Sequence, residues 1–170
     1  MPKLWYNLGD AALEAMLRPG ITVTARCGIT YTLEERAGMP CLVCRLLNGK
    51  PIFYMNAKLA PEPNQWGRRY WTHWKISART KQWSEHMPYS HQLAENVVQG
   101  LARELLADAM LRFEARGYPV VLHVHDEIVV EHPLITEELI REIMETREKW
   151  AVELDVPVRV EAWVGKRYCK

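Results

Sequence analysis

Long apolar runs are absent. No stretch of the 170 residues is long and apolar enough to span a bilayer. The start, Met1-Pro2-Lys3-Leu4, lacks the apolar core of a signal peptide. These two absences predict a soluble cytoplasmic protein with no membrane partner. An excess of one charge is also missing. Lys and Arg number 22 against 21 Asp and Glu, a net charge of +1. No global basic field marks a nucleic-acid binder, so any phosphate contacts must come from local clusters. Cysteine is sparse: Cys27, Cys41, Cys44 and Cys169. The Cys41-x-x-Cys44 pair has no second pair to complete a zinc ribbon. It also sits on strand-like text, where residues three apart point to opposite faces. Buried thiols in a reducing compartment are the expectation. The chain shows no internal repeat and no low-complexity tract.

What is present suits one domain, or a large piece of one, with an apolar fraction of 48%. Leu4, Leu8, Ala11, Ala12, Ala15 and Met16 have helical spacing, and Arg18-Pro19-Gly20 ends that helix. Ile21 to Tyr54 is strand-like, with an Asn48-Gly49 hairpin. Pro61 to Asn64 is a loop. Trp66 to Trp83 holds Arg68, Arg69, Lys75, Arg79 and Lys81 with no acid, interleaved with Trp71 and Trp74. Such a stretch can track a phosphate backbone, with aromatics stacking on bases. A solvated basic surface over core tryptophans is the alternative. A long helix is predicted from about His91 to Arg116, with Leu93, Val97, Leu101, Leu105 and Ala109 as its buried stripe, widened by Val98, Ala102 and Phe113. Gly117 is a natural left-handed cap. A further helix starts after Thr136, with Leu139, Ile140, Ile143, Met144 and Trp150 on its apolar face. A final strand alternates Val158, Val160, Ala162 and Val164. Helices and strands are mixed rather than alternating. The predicted class is therefore α+β, an antiparallel sheet with long helices packed on one face.

Between the two C-terminal elements lies Val120 to Glu131, VVLHVHDEIVVE. Two apolar strands flank His125, Asp126 and Glu127. Adjacent acids on a buried hairpin would be disfavoured by desolvation and mutual repulsion. Asp-Glu is also poor turn chemistry where Asn-Gly or Asp-Gly is preferred. Departure from local preference at one point suggests function. A hard divalent cation such as magnesium, which takes oxygen ligands, is the simplest compensation. An exposed acidic turn without metal is the alternative. His91 and His123 are lone histidines. His123 alternates with His125, so the two could share a face, though hydrogen-bonded imidazoles are a better reading than metal ligands.

His125-Asp126-Glu127 between apolar strands, after the helix ENVVQGLARELLADAMLRF, resembles the C-terminal palm of phage-type family A (DNA polymerase I-like) DNA polymerases. Leu47-Asn48-Gly49-Lys50 before Ile52-Phe53-Tyr54 looks like that family's Leu-Pro-Ser-Gly-Arg hairpin with substitutions. The ending Glu161 to Lys170 looks like its terminal strand. The resemblance is strong from about Glu95 to Glu131 and weak elsewhere. It implies a single palm segment, residues 1–87 holding helix, hairpins and the Trp-rich basic region, and 88–170 the core with the motif C hairpin.

The resemblance further implies template-directed nucleotidyl transfer with two Mg2+ ions, primer-template DNA and dNTP, in a bacterial or phage-infected cell. Asp126 would be the catalytic metal ligand and Glu127 a secondary one. His125 would lie near the primer backbone. Gln99 would reach the minor groove at the primer terminus, where acceptors shared by all pairs report pairing geometry. Arg103, Arg68, Arg69 and Lys75 complete the expected DNA contacts. A solvated Gln99 bridged to Arg103 is the alternative, and Asn96 reads as a cap or packing residue. The family's second aspartate strand and its fingers helix, Arg-x3-Lys-x6-Tyr-Gly, are not found in the chain. The chain therefore resembles a portion that begins after the fingers helix, inactive alone, with the missing N-terminal polymerase portion as a partner. Pro88-Tyr89-Ser90-His91-Gln92 stands where phage relatives show Tyr-Gly-Gly-Lys. Two further readings stay open: a non-catalytic DNA-binding or accessory module descended from a palm, and a metal-dependent phosphodiesterase using Asp126 and Glu127.

Overall fold

Helix α1 (Pro2–Leu17) buries Leu8, Ala11, Ala12, Ala15 and Met16 on the predicted stripe, while Leu4 is exposed. The computed structural model that shows this describes residues 2–168. Cys169 and Lys170, included above among the thiols and the terminal strand, lie outside the described residues. The chain divides into two compact units, one up to Gly100 and one from Leu101.

The first unit holds α1 and two antiparallel sheets. Strands β1 (Val23–Thr24), β2 (Thr30–Arg36), β3 (Met39–Arg45) and β4 (Pro51–Met55) pair in chain order. The predicted Asn48-Gly49 hairpin joins β3 to β4, with Arg45 opposite Pro51. Gly49 N–H donates to the Leu46 carbonyl at 2.9 Å, and the Asn48 side chain accepts from Lys50 N–H. Proline suits the first residue of β4, where its missing N–H does least harm. Helix α1 packs against β1, β2 and β3. As the central pair of this sheet, β2 and β3 carry the core: Tyr31, Cys41, Leu42, Val43 and Cys44 are nearly inaccessible.

Cys41 and Cys44 are free and lie three residues apart on β3. Burial pushes both thiols above the ordinary range, Cys44 up to about 11, so neither is a ready thiolate nucleophile. The buried-thiol expectation holds for these two.

The second sheet is β5 (Lys58–Leu59), β6 (Trp71–Ile76) and β7 (Trp83–His86). The expected single sheet is thus three separate antiparallel ones, the third in the other unit. The class remains α+β with antiparallel pairing. Helix α2 (Ser90–Ala115) buries Leu93, Ala94 and Val97 in its first half. At Gly100 a Cβ would come within 2.9 Å of Leu46 and 3.3 Å of Ile52. Glycine there lets the helix lie directly on the β3–β4 hairpin.

The second unit takes the rest of α2, burying Leu106, Ala109 and Phe113. Leu101 and Leu105 are only half-buried, and Val98 and Ala102 are exposed, so the inner stripe is narrower than predicted. Gly117, at φ +79, ends α2. Tyr118 N–H donates to the Phe113 carbonyl and Gly117 N–H to that of Glu114, a Schellman motif. The β8 (Val120–Val124) and β9 (Glu127–Val130) hairpin follows.

Thr136 caps α3 (Glu137–Met144), accepting from Leu139 N–H, as expected. The predicted continuous helix to Trp150 is instead broken. Thr146 donates to the Glu142 carbonyl, Arg112 takes that of Ile143, and extended Glu148 starts a separate α4 (Lys149–Glu153). Side chains there satisfy carbonyls that a helix would otherwise use.

The predicted strand Val158–Val164 is also overturned. Val156, Val158, Val160 and Ala162 alternate half-buried with exposed neighbours, but no ladder forms among the described residues. Side chains occupy the backbone instead: Glu145 accepts from Val160 N–H and Arg141 donates to the Ala162 carbonyl.

Candidate metal and nucleic-acid site

Strands β8 and β9 are joined by a two-residue turn, His125-Asp126, with Val124 opposite Glu127. Glu127 therefore opens β9 rather than sharing the tip. His125 takes φ +53, a left-handed conformation that histidine tolerates better than most side chains but adopts at a cost. An irregularity between Val120 and Leu122 leaves Val121 as an extra residue, a β-bulge of the kind that re-aims side chains. Because β8 ends at Val124, the alternation expected to place His123 and His125 on one face stops short of His125.

The hairpin is not buried. Every residue of β8 and β9 is half-buried or exposed, with Val121 54% and Leu122 45% accessible. The desolvation argument for a costly acid pair is thereby overturned. A two-stranded ribbon does not bury apolar strands by itself. Asp126 is exposed and makes no hydrogen bond or ion pair among the described residues. Glu127 is half-buried, and its carboxylate accepts from Tyr168 at 2.9 Å. Glu114 of α2 accepts from Val120 N–H at 2.7 Å, tying the root of the ribbon to the helix before it. Sequence patterning missed Tyr168, since a contact over that separation leaves no local signal.

In the first unit a groove of about 690 Å³ is lined by Tyr54, Trp74, Lys75, Gln92, Asn96 and Gln99, among others. Gln99 and Lys75, both predicted to meet DNA, are brought together here. Gln99 is exposed and donates to Glu95 at 3.2 Å, one turn back, rather than bridging to Arg103. Asn96 donates to the buried Tyr54 hydroxyl at 3.1 Å, the packing role expected of it.

Behind Lys75, His73 is nearly buried against the rings of Tyr54, Trp71 and His86. Burial holds its imidazole below the ordinary range, and the charges of His86 and Lys75 push the same way. His86 and Gln92 are linked at 2.8 Å. This His73-His86-Gln92 cluster was not legible in advance, because it joins a sheet to a helix. His91 stacks on Tyr89 instead.

Arg68 and Arg69 are exposed on the β5–β6 loop, which Asn64 closes by accepting from Trp66 and Arg68 N–H. They do not line the groove. Arg103 is exposed on the half of α2 that belongs to the second unit. Of the tryptophans in the basic stretch, Trp71 is core and Trp66, Trp74 and Trp83 are exposed, so each of the two sequence readings describes part of it.

Among the described residues no group of three or more His, Cys, Asp or Glu side chains could enclose a metal ion. No helix among them is long and apolar enough to cross a membrane.

No family model and no solved structure matches the chain. It is 31% identical over 170 residues to the DNA polymerase of Bacillus phage SP02, covering 99% of this chain and 25% of that protein. It is 40% identical over 77 residues to the thermostable DNA polymerase I of Thermus filiformis, covering 41% of this chain and 9% of that one. The chain thus spans about a quarter of the phage relative's length. Along nearly its whole length the chain is thus similar to a part of these DNA polymerases.

Proposed function

We propose that the chain is the palm-like, phage-type portion of a DNA-directed DNA polymerase. Its role would be to supply part of a two-metal nucleotidyl-transfer site and part of the primer-template surface. The observation that carries this is similarity to a DNA polymerase along 99% of the chain, combined with an unpartnered Asp126 at the tip of a ribbon.

The donor chemistry fits magnesium in part. Asp126 and Glu127 offer adjacent hard oxygens, the ligands Mg2+ prefers. A two-ion site needs more carboxylates than this pair, so another chain or segment would contribute the second aspartate and the fingers residues that grip dNTP. When bound, such ions acidify the primer 3′-hydroxyl and stabilise the departing pyrophosphate. The chain's own residues hold and orient. Asp126 is the principal ligand and Glu127 the secondary one, steadied by Tyr168. His125, held at φ +53, would meet the primer backbone. Gln99 donates to the minor groove, exchanging its bond to Glu95 for base acceptors common to all pairs. Lys75, Arg68, Arg69 and Arg103 neutralise phosphates.

Complementation tests this. The chain is mixed with a polypeptide carrying the second aspartate and fingers helix, and primer extension is followed in Mg2+. Template-directed synthesis from the mixture, with none from either part, is expected. Robust synthesis by this chain alone would refute the missing-portion argument. Mixtures that bind DNA but never extend it favour a non-catalytic accessory module. Metal-dependent cleavage of DNA by the lone chain, lost in Asp126→Ala, favours a phosphodiesterase.

A further inference from the structure

The two faces of the β6–β7 hairpin differ. His73 and Lys75 share one with Ser84 and His86, and its root is packed through His73 on Tyr54 and through His86 on Gln92. Trp74 and Ile76 share the other with Glu85 and Trp83. This second face is apolar and open: Trp74 is 44%, Ile76 50% and Trp83 61% accessible. The two indoles lie diagonally across the strands, ring centroids 6.5 Å apart. Two tryptophans and an isoleucine grouped in water add little to the core, and such an exposed apolar patch suits a surface that a ligand covers.

Charge indicates what that is. The connection from Ser77 to Gln82 carries exposed Arg79 and Lys81 and is closed by backbone bonds from Ser77 N–H to Gln82 and from Lys81 N–H to Ser77. Lys75 is exposed on the opposite face, and no acid occurs between Trp66 and Trp83. The one carboxylate on the open face, Glu85, accepts a hydrogen bond from Thr72 and lies at the end away from the loop. An aromatic strip flanked by cations fits a ligand with flat π-faces strung on anionic charge. Bases within a duplex hide those faces, whereas unpaired bases present them.

We propose that the outer face of the β6–β7 hairpin is a stacking platform for unpaired nucleotides of a DNA strand. Trp74 and Trp83 take the bases, and Arg79 and Lys81 of the connecting loop track the phosphates. Resting on the polymerase reading, this makes the occupant the single-stranded part of a primer-template, while Gln99 serves the paired part.

The test is a tryptophan-fluorescence titration of the full chain with an oligothymidylate of about 16 nucleotides, the upper range for one such site. A blunt duplex serves as the comparison. The strand should quench fluorescence and bind more tightly than the duplex. Trp74→Ala and Trp83→Ala should each weaken strand binding about tenfold. Trp83→Phe, which keeps a π-face, should retain most of the affinity, separating stacking from damage to the fold. Arg79→Gln and Lys81→Gln should each flatten the salt dependence by about 0.7 in log–log slope. Strand affinity unchanged in the double alanine variant, or a duplex bound as well as the strand through the same tryptophans, would overturn the proposal. The readout is binding rather than synthesis, so failure here and failure of complementation are separate findings.

Discussion

Two hairpins of this chain begin from similar text and end differently. Strand β3 reads MPCLVCR and β8 reads VVLHV, both largely apolar. In β3, four consecutive residues are buried, while in β8 none is. The difference is neighbours. β3 has a strand on each side and α1 packed on it, whereas β8 has only β9 as a sheet partner. The turns differ in the same sense. Asn48-Gly49 suits its bend, while His125-Asp126 puts a histidine in left-handed space. The first hairpin follows turn chemistry, and its β3 strand serves as core. The second breaks turn chemistry and leaves apolar side chains in solvent, and it carries the acid pair. Local cost without local gain is the reason to test this hairpin as a site.

The largest expected effect breaks this contrast on the functional side. In the complemented enzyme, Asp126→Ala should lower the rate of extension about 10³-fold, the several kcal/mol that metal-assisted charge stabilisation supplies. Single-turnover primer extension measures it. A loss below tenfold would return the tip to an ordinary acidic turn.

Stability should divide the hairpins the other way. Leu42→Ala, at a fully buried site, should cost about 2–5 kcal/mol by urea unfolding. Leu122→Ala, on the open ribbon, should cost no more than about 0.5 kcal/mol. Equal losses would mean that the ribbon is covered in solution.

At the turn itself, His125→Val should be less stable than His125→Gly by about 1–2 kcal/mol, because a β-branched side chain tolerates positive φ worst. Both should weaken primer binding in the complemented enzyme if His125 meets the DNA backbone.

The smallest effect concerns His73. Its folded-state value is depressed by burial, then by His86 and Lys75, against the helping Trp74 carbonyl. For a base with a lowered folded pKa, the unfolded chain takes up the proton first. Stability is therefore whole above the unfolded value of about 6.5 and is lost as pH falls below it towards the lowered folded value. The urea midpoint of the wild type should drop on acidification through this window, and His73→Phe should flatten the drop.

Much of the secondary structure is legible in the sequence. The α1 stripe, the Asn48-Gly49 hairpin, the Gly117 cap and the Thr136 cap are written in spacings of a few residues, and each reports local backbone physics. Val98 and Ala102 misled because helical periodicity marks an apolar face without saying how much of it a neighbour covers. The stretch after Thr136 misled because Thr146 and Arg112 capture carbonyls that helical text leaves unassigned. Val158 to Val164 kept its alternation and lost its ladder, since alternation is a property of one strand and pairing is a property of two. Among the candidate site residues, the His125-Asp126-Glu127 run was visible as a departure from local chemistry, and Gln99 through the family resemblance alone. The Tyr168 bond to Glu127, the His73-His86-Gln92 cluster and the Trp74-Trp83 strip were not, because each joins elements that periodicity treats separately.

By itself the sequence determined the kind of each major element and the positions where turn chemistry is violated, because these depend on interactions within a few residues. Only the tertiary structure decided which apolar strands are covered, which of the interleaved tryptophans meet water, and which carboxylate is left without a partner. Those outcomes depend on what packs opposite a residue, and contacts between elements distant in the chain leave no periodic trace in either partner.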